Sequence, residues 1–208
     1  MPTAGVDGVV DTGVGRDETE NAILDAASAC VLAYGVRRTS LSDVARRAGV
    51  SRPTVYRRWP DRRALVADLM TRELGGVFRR AALQPAAGTA RERAVDQFLA
   101  VTAGLRGHPL LDKIIQVDPE LLQPYIFERL GTSQRMALAF TAELIRAGQR
   151  DGSIRDGDVD GMALTVLLSV QSAVLAARAA DALVPASRRD AELAELLDRY
   201  LQPGGTRD

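Results

Sequence analysis

Nine arginines fall between Val36 and Arg63: Arg37, Arg38, Arg46, Arg47, Arg52, Arg57, Arg58, Arg62 and Arg63. Only Asp43 and Asp61 oppose them, so the stretch carries +7 in a chain of net charge zero and the remainder carries −7. Guanidinium is a permanent cation with five donors in a planar fork, matched to phosphate oxygens and to the edge of guanine. A merely solvated face would interleave acidic partners at i,i+4, and these are nearly absent. Charge concentrated in this way is the footprint of a site for a polyanion.

Other chemistry is scarce. Cys30 is the only cysteine and His108 the only histidine, which excludes an intrachain disulfide and a cysteine-cluster metal site. There is no nucleophile–base constellation, no Gly-x-Ser-x-Gly turn and no Gly-rich phosphate loop. No catalytic residue, metal ligand or cofactor is therefore expected, and the chain does not read as an enzyme. Cys30 lies on an apolar stripe and reads as core, while His108, before Pro109, reads as a helix-end cap. A lone cysteine suits a reducing, cytoplasmic location. Residues 1–15 are Gly-rich and acidic, without the apolar segment of a secretory signal. The uncharged stretch from Gly161 to Ala177 is slightly short for a membrane span of about 20 residues, and Ser169, Gln171 and Ser172 interrupt it. It reads as a buried interface helix, with no membrane as partner.

These side chains must be held by helices. Ala, Leu and Arg abound and β-branched runs are few, so an all-α chain of about nine helices is expected. After an arm over 1–16, Asp17 and Glu20 have capping-box spacing, and Ile23, Ala27, Cys30, Val31 and Tyr34 recur at helical intervals until Gly35. Ser40 and Asp43 repeat the capping spacing, Ser51 caps a third short helix with Pro53 in its first turn, and Trp59-Pro60 closes it. Asp61 starts a longer helix to about Leu83, and Gln84–Gly88 is a Pro/Gly-rich break. Further helices are expected at 89–106, 108–117, 119–151 with Gly131 a candidate break, 158–181 and 188–201, the last capped by Ser187 and Asp190. The resulting division is an N-terminal unit over 17–84 and a helical body over 85–208.

Residues 40–59 read SLSDVARRAGVSRPTVYRRW. Two short helices joined by a Gly-containing turn cross steeply, which requires small residues at the crossing. Ala45 and Ala48 are small, Gly49 allows positive φ, and Val50 and Val55 plug the angle. That is a helix-turn-helix signature. Together with Tyr34-Gly35, Thr39-Ser40-Leu41, Val44-Ala45, Thr54-Val55-Tyr56, Trp59-Pro60 and Ala64-Leu65, it makes the chain from Asp17 to about Leu69 resemble the tetracycline-repressor (TetR) family of regulators.

The resemblance implies a three-helix DNA-binding head and a larger helical body that dimerises and often binds a small-molecule inducer. It implies a phosphate contact at Arg62, where the family usually has Lys, and an aromatic residue at Trp59. In a helix-turn-helix the second helix of the head lies across the backbone and the third enters the major groove of operator DNA. Arg52 and Thr54 are then candidates for base edges, and Thr39, Tyr56, Arg57 and Arg62 for phosphates. Ser40, Ser51 and Trp59 complete the set, Trp59 doubling as a hydrophobic peg between the third and fourth helices.

In the body, the apolar faces of 158–181 and 188–201 suit a four-helix bundle with a second copy of the chain. Leu167, Val170, Val174, Ala177, Leu193, Leu196 and Leu197 are the candidate interface. Phe98, Thr102, Gln116, Tyr125, Met136, Phe140 and Gln171 are the larger or polar groups on otherwise apolar faces, and the candidates for lining an inducer pocket. The expected function is a transcriptional regulator, a repressor released from a palindromic operator by a largely apolar ligand. The competing reading is a DNA-binding or architectural protein without a ligand.

Overall fold

A computed structural model describes residues 18–84 and 87–204; the expected arm over 1–16 and the capping Asp17 lie outside these. Every regular element among the described residues is helical. The elements are α1 (Glu18–Tyr34), α2 (Leu41–Ala48), α3 (Arg52–Arg58), α4 (Arg62–Ala82), α5 (Ala90–Arg106) and α6 (Pro109–Val117). A 3-10 turn at Pro119–Leu121 precedes α7 (Gln123–Phe127) and α8 (Thr132–Arg150), followed by α9 (Val159–Leu175), α10 (Ala177–Asp181) and α11 (Ala186–Leu201).

Two of the expected segments are broken. Pro119 and Pro124 each remove an N–H donor, so 119–131 holds only a 3-10 turn and the short α7, and the long helix begins after Gly131, the candidate break. The 158–181 segment is interrupted at Ala176, whose ψ of 0° departs from the helical value. At the last helix, Pro185 precedes Ala186, so the helix starts ahead of Ser187, and Asp190 binds Arg106 instead of completing a cap.

The chain packs as two units. The first runs to Gly76 and includes His108–Ser133; the second comprises Val77–Gly107 and the chain from Gln134 onward. These are not the ranges expected from the sequence, 17–84 and 85–208. Packing follows apolar faces, and α6 turns Leu110 and Ile114 into the core of the first unit.

That core joins Ile23, Leu24, Ala27, Cys30 and Val31 of α1 to Leu41, Val44 and Ala45 of α2, Val55 of α3, Trp59, and Leu65 and Leu69 of α4. Burying each large aliphatic side chain contributes roughly 1.5–3 kcal/mol. Tyr34, read as the end of the α1 stripe, is instead 59% exposed. Burial pushes the Cys30 thiol up from its ordinary value, as suits core rather than reactive cysteine. In the second unit, α5 packs against α9 and α11. Thr89 and Glu92 form a reciprocal capping box at the start of α5, and Asp158 caps α9. Arg91 pairs with Asp198 at 2.5 Å across α5 and α11.

Candidate nucleic-acid interface

Local rules build the corner between α2 and α3. The Ser40 hydroxyl accepts the Asp43 N–H at 3.1 Å and donates to the Asp43 carboxylate at 2.6 Å, starting α2. The Ser40 hydroxyl first, and Arg46 after it, hold that carboxyl below its ordinary value. Gly49 ends α2 at φ 68°, and the Val50 N–H donates back to the Ala45 carbonyl at 3.0 Å, closing the helix in the left-handed manner glycine tolerates best. Ser51 then caps α3 by accepting the Thr54 N–H at 3.3 Å, and its hydroxyl meets that of Thr54 at 2.8 Å.

α3 is anchored through one buried residue, Val55. Arg52, Tyr56, Arg57 and Arg58 are exposed and Thr54 is half-buried, so most of this short helix faces outward. Its last carbonyls are followed by Trp59, 3% exposed, whose Nε1 donates to Asp68 at 3.1 Å. Trp59 is thus the peg between α3 and α4, and its ring is not presented to DNA.

Thr39 requires a correction as well. It is 2% exposed, and its hydroxyl donates to the Gly35 carbonyl at 2.8 Å, so it shapes the turn before α2 rather than facing a phosphate. Ser40 and Ser51 are exposed caps. Arg62 is exposed at the start of α4, where its Nη1 donates to the Arg37 carbonyl at 2.5 Å.

The arginine surplus is partly answered by acids, two of them distant in sequence and one local. Arg37 pairs with Glu120 at 2.6 Å, Arg58 with Glu20 at 2.9 Å, and Arg46 with Asp43 at 2.5 Å. Among the described residues no ion pair is found for Arg38, Arg47, Arg52, Arg57 or Arg63, all of them exposed. A cluster of exposed cations around an outward helix can neutralise backbone phosphates while placing α3 side chains on base edges.

The candidate ligand residues do not gather within one unit. Phe98 and Thr102 are buried on α5 of the second unit, where the Thr102 hydroxyl donates to the Phe98 carbonyl at 2.7 Å. In the same unit Phe140 packs against Phe78 with ring centroids 5.8 Å apart, Gln171 accepts from Gln134 at 2.7 Å, and Met136 is half-buried. Tyr125, with Arg129 5.5 Å from its ring centroid, belongs to the first unit. So does Gln116, which is exposed and donates to Asp112; it is a surface residue rather than a lining one.

The candidate interface also divides. Leu167, Val170, Val174 and Leu197 are 8%, 7%, 6% and 1% exposed within a single chain, so they pack internally. Ala177 and Leu193 are half-buried. Leu196 is 53% exposed, and α9 exposes Leu164 and Leu168 at 40% and 50%, one helical turn apart. α9 carries apolar residues on more than one face, so periodicity alone could not say which stripe faces its own chain.

Comparison with known proteins gives a consistent result. Residues 23–69 match the family of bacterial regulatory proteins described as the tetR family. Uncharacterized HTH-type transcriptional regulators of Mycobacterium tuberculosis and Mycobacterium bovis are each 42% identical over 186 residues, 89% of this chain and 96% of theirs. Among solved structures, the transcriptional regulator FadR from Bacillus subtilis in complex with stearoyl-CoA superposes with a TM-score of 0.64 at 20% identity, covering 88% of this chain and 99% of that one. The TetR-family repressor QsdR from Rhodococcus erythropolis also reaches 0.64 at 20% identity, covering 92% and 100%.

Proposed function

The chain belongs to the TetR family of bacterial transcriptional regulators, and from that premise we propose that it is a repressor that binds a palindromic operator as a homodimer and is released by a small, largely apolar ligand. The observation that carries this reading is α3, whose one buried residue is Val55, with Arg52, Tyr56 and Arg57 exposed and no ion pair found for Arg52 or Arg57 among the described residues. Arg52 and Thr54, at the N-terminal end of α3, read base edges in the major groove. Tyr56, Arg57 and Arg62 meet phosphates, which fix register without specifying sequence.

Dimerisation is supported by the exposed leucines of the second unit. Leu164 and Leu168 on α9 and Leu196 on α11 are exposed apolar side chains that a second copy would bury, two helices from each subunit. Twofold protein symmetry then requires an operator of matching symmetry. The ligand is bound by the second unit, where Phe98, Thr102, Met136, Phe140 and Gln171 offer apolar surface with few neutral polar groups. A regulator of this fold carries stearoyl-CoA, which makes a long acyl chain a reasonable first probe. The family and the absence of a membrane-length apolar helix among the described residues suit action in the cytoplasm.

Selection of bound sequences from random duplexes tests the core of this reading. An enriched inverted repeat is expected; an asymmetric single half-site, or no enriched motif, would overturn it.

A further inference from the structure

The turn from α1 to α2 is clamped by residues more than eighty positions downstream. Gly35 has φ +81°, and a Cβ there would lie 2.9 Å from Oδ2 of Asp118 and 3.0 Å from Val117, so the 117–120 segment lies directly against the turn. Asp118 is 1% exposed, and its Oδ2 accepts the Val36 N–H at 2.7 Å. Its Oδ1 has no hydrogen bond among the described residues and faces Nε of Arg37 at 3.6 Å. A buried carboxylate is unfavourable without a compensating charge, and the only one in that contact is Arg37.

Arg37 itself is 67% exposed. Oε1 of Glu120 lies 2.6 Å from both Nε and Nη2, so the two carboxylates share one edge of the guanidinium plane. For Nη1, with both its donors, no hydrogen bond or ion pair is found among the described residues. The Arg37 carbonyl accepts from Arg62, the residue the family resemblance places on a phosphate. A planar cation held along one edge beside such a residue is oriented to grip an anion with the other edge.

We propose that Arg37 is a further phosphate contact of the DNA-binding surface and that Asp118, outside the helix-turn-helix, is the positioning residue that aims it. This rests on the reading of the first unit as the DNA-binding unit. Asp118 acts through two bonds: it pins the turn at Val36 and balances the guanidinium that follows. Glu120, half-buried, adds a second hold on the same edge.

The test is equilibrium binding to the selected operator and to an unrelated duplex of equal length, across a range of NaCl concentrations. The proteins are wild type, Arg37→Ala, Asp118→Asn and the double variant. Loss of Arg37 should weaken both duplexes roughly tenfold, as expected for a charged hydrogen bond. It should also flatten the log–log salt slope by about 0.9 per lost contact, thus about two for two subunits. Asp118→Asn should move the slope in the same direction, and the double variant should be no weaker than Arg37→Ala. A wild-type slope for Arg37→Ala would overturn the contact. A wild-type slope for a folded Asp118→Asn, or losses that add in the double variant, would overturn the positioning. If Asp118→Asn does not fold, Glu120→Ala, at a half-buried position outside the core, takes its place with the same expected flattening. Tighter binding by either acid variant would mean that the carboxylates compete with phosphate, which also overturns the proposal. Failure of the wild type to bind either duplex would instead remove the DNA-binding reading itself.

Discussion

A hydroxyl buried at Thr39 must find an acceptor, and the Gly35 carbonyl 2.8 Å away is that acceptor. The bond ties the start of α2 to the end of α1, so its loss should be felt as stability and not as charge. Thr39→Val, which keeps the shape and deletes the donor, should lower unfolding free energy by about 1 kcal/mol while leaving the salt slope of DNA binding unchanged. Thermal melts and a salt titration on the same samples would check both halves; a flattened slope would return Thr39 to the phosphate contacts. Residue type and position in the motif mark Thr39, Trp59 and Arg62 equally as candidates. Only burial separates them, since Trp59 and Thr39 are 3% and 2% exposed and Arg62 is exposed. Arg37 was legible only as charge, because its partners Asp118 and Glu120 are remote in sequence and no local spacing links them.

At the scale of the element, the helix-turn-helix was legible almost to the residue because its determinants are local. Ser40, Gly49, Ser51 and Pro53 act within their own turns, and Ser40 and Ser51 cap their helices through their hydroxyls, although the Asp43 carboxylate accepts from the Ser40 hydroxyl rather than from its backbone as a full capping box would have it. The body was less legible. Pro119 and Pro124 fall within five residues of each other and break a segment whose apolar pattern continues through them. α9 is uncharged after Asp160 and its few polar residues are scattered, so a helical period exists but no broad polar face orients it. α6 shows the limit most clearly: its Leu110 and Ile114 are an ordinary apolar pair in sequence, and nothing local assigns them to the core that holds α1 and α2.

For the molecule as a whole, segregation of +7 around one motif and −7 elsewhere gives a chain that is neutral in total and strongly basic where α2 and α3 lie. Such a surface attracts DNA at long range, and two copies are needed to read a symmetric site. The exposed pair Leu164 and Leu168 is the point at which this can be broken without disturbing a single chain's core. Leu168→Glu should convert a dimer to a 22.3 kDa monomer in sedimentation experiments, with little change in monomer helicity, and should weaken operator binding sharply. A variant that remains dimeric would move the interface away from this face of α9.

The central claim is that α3 reads base edges, and it is tested most directly by binding of wild type and Arg52→Ala to every single-base variant of the selected operator. Bidentate recognition by Arg52 predicts a loss of roughly 1–3 kcal/mol on the operator, with preference relaxed at one base position in each half-site and intact elsewhere. Equal weakening across all variants, or an unaltered preference at every position, would contradict it.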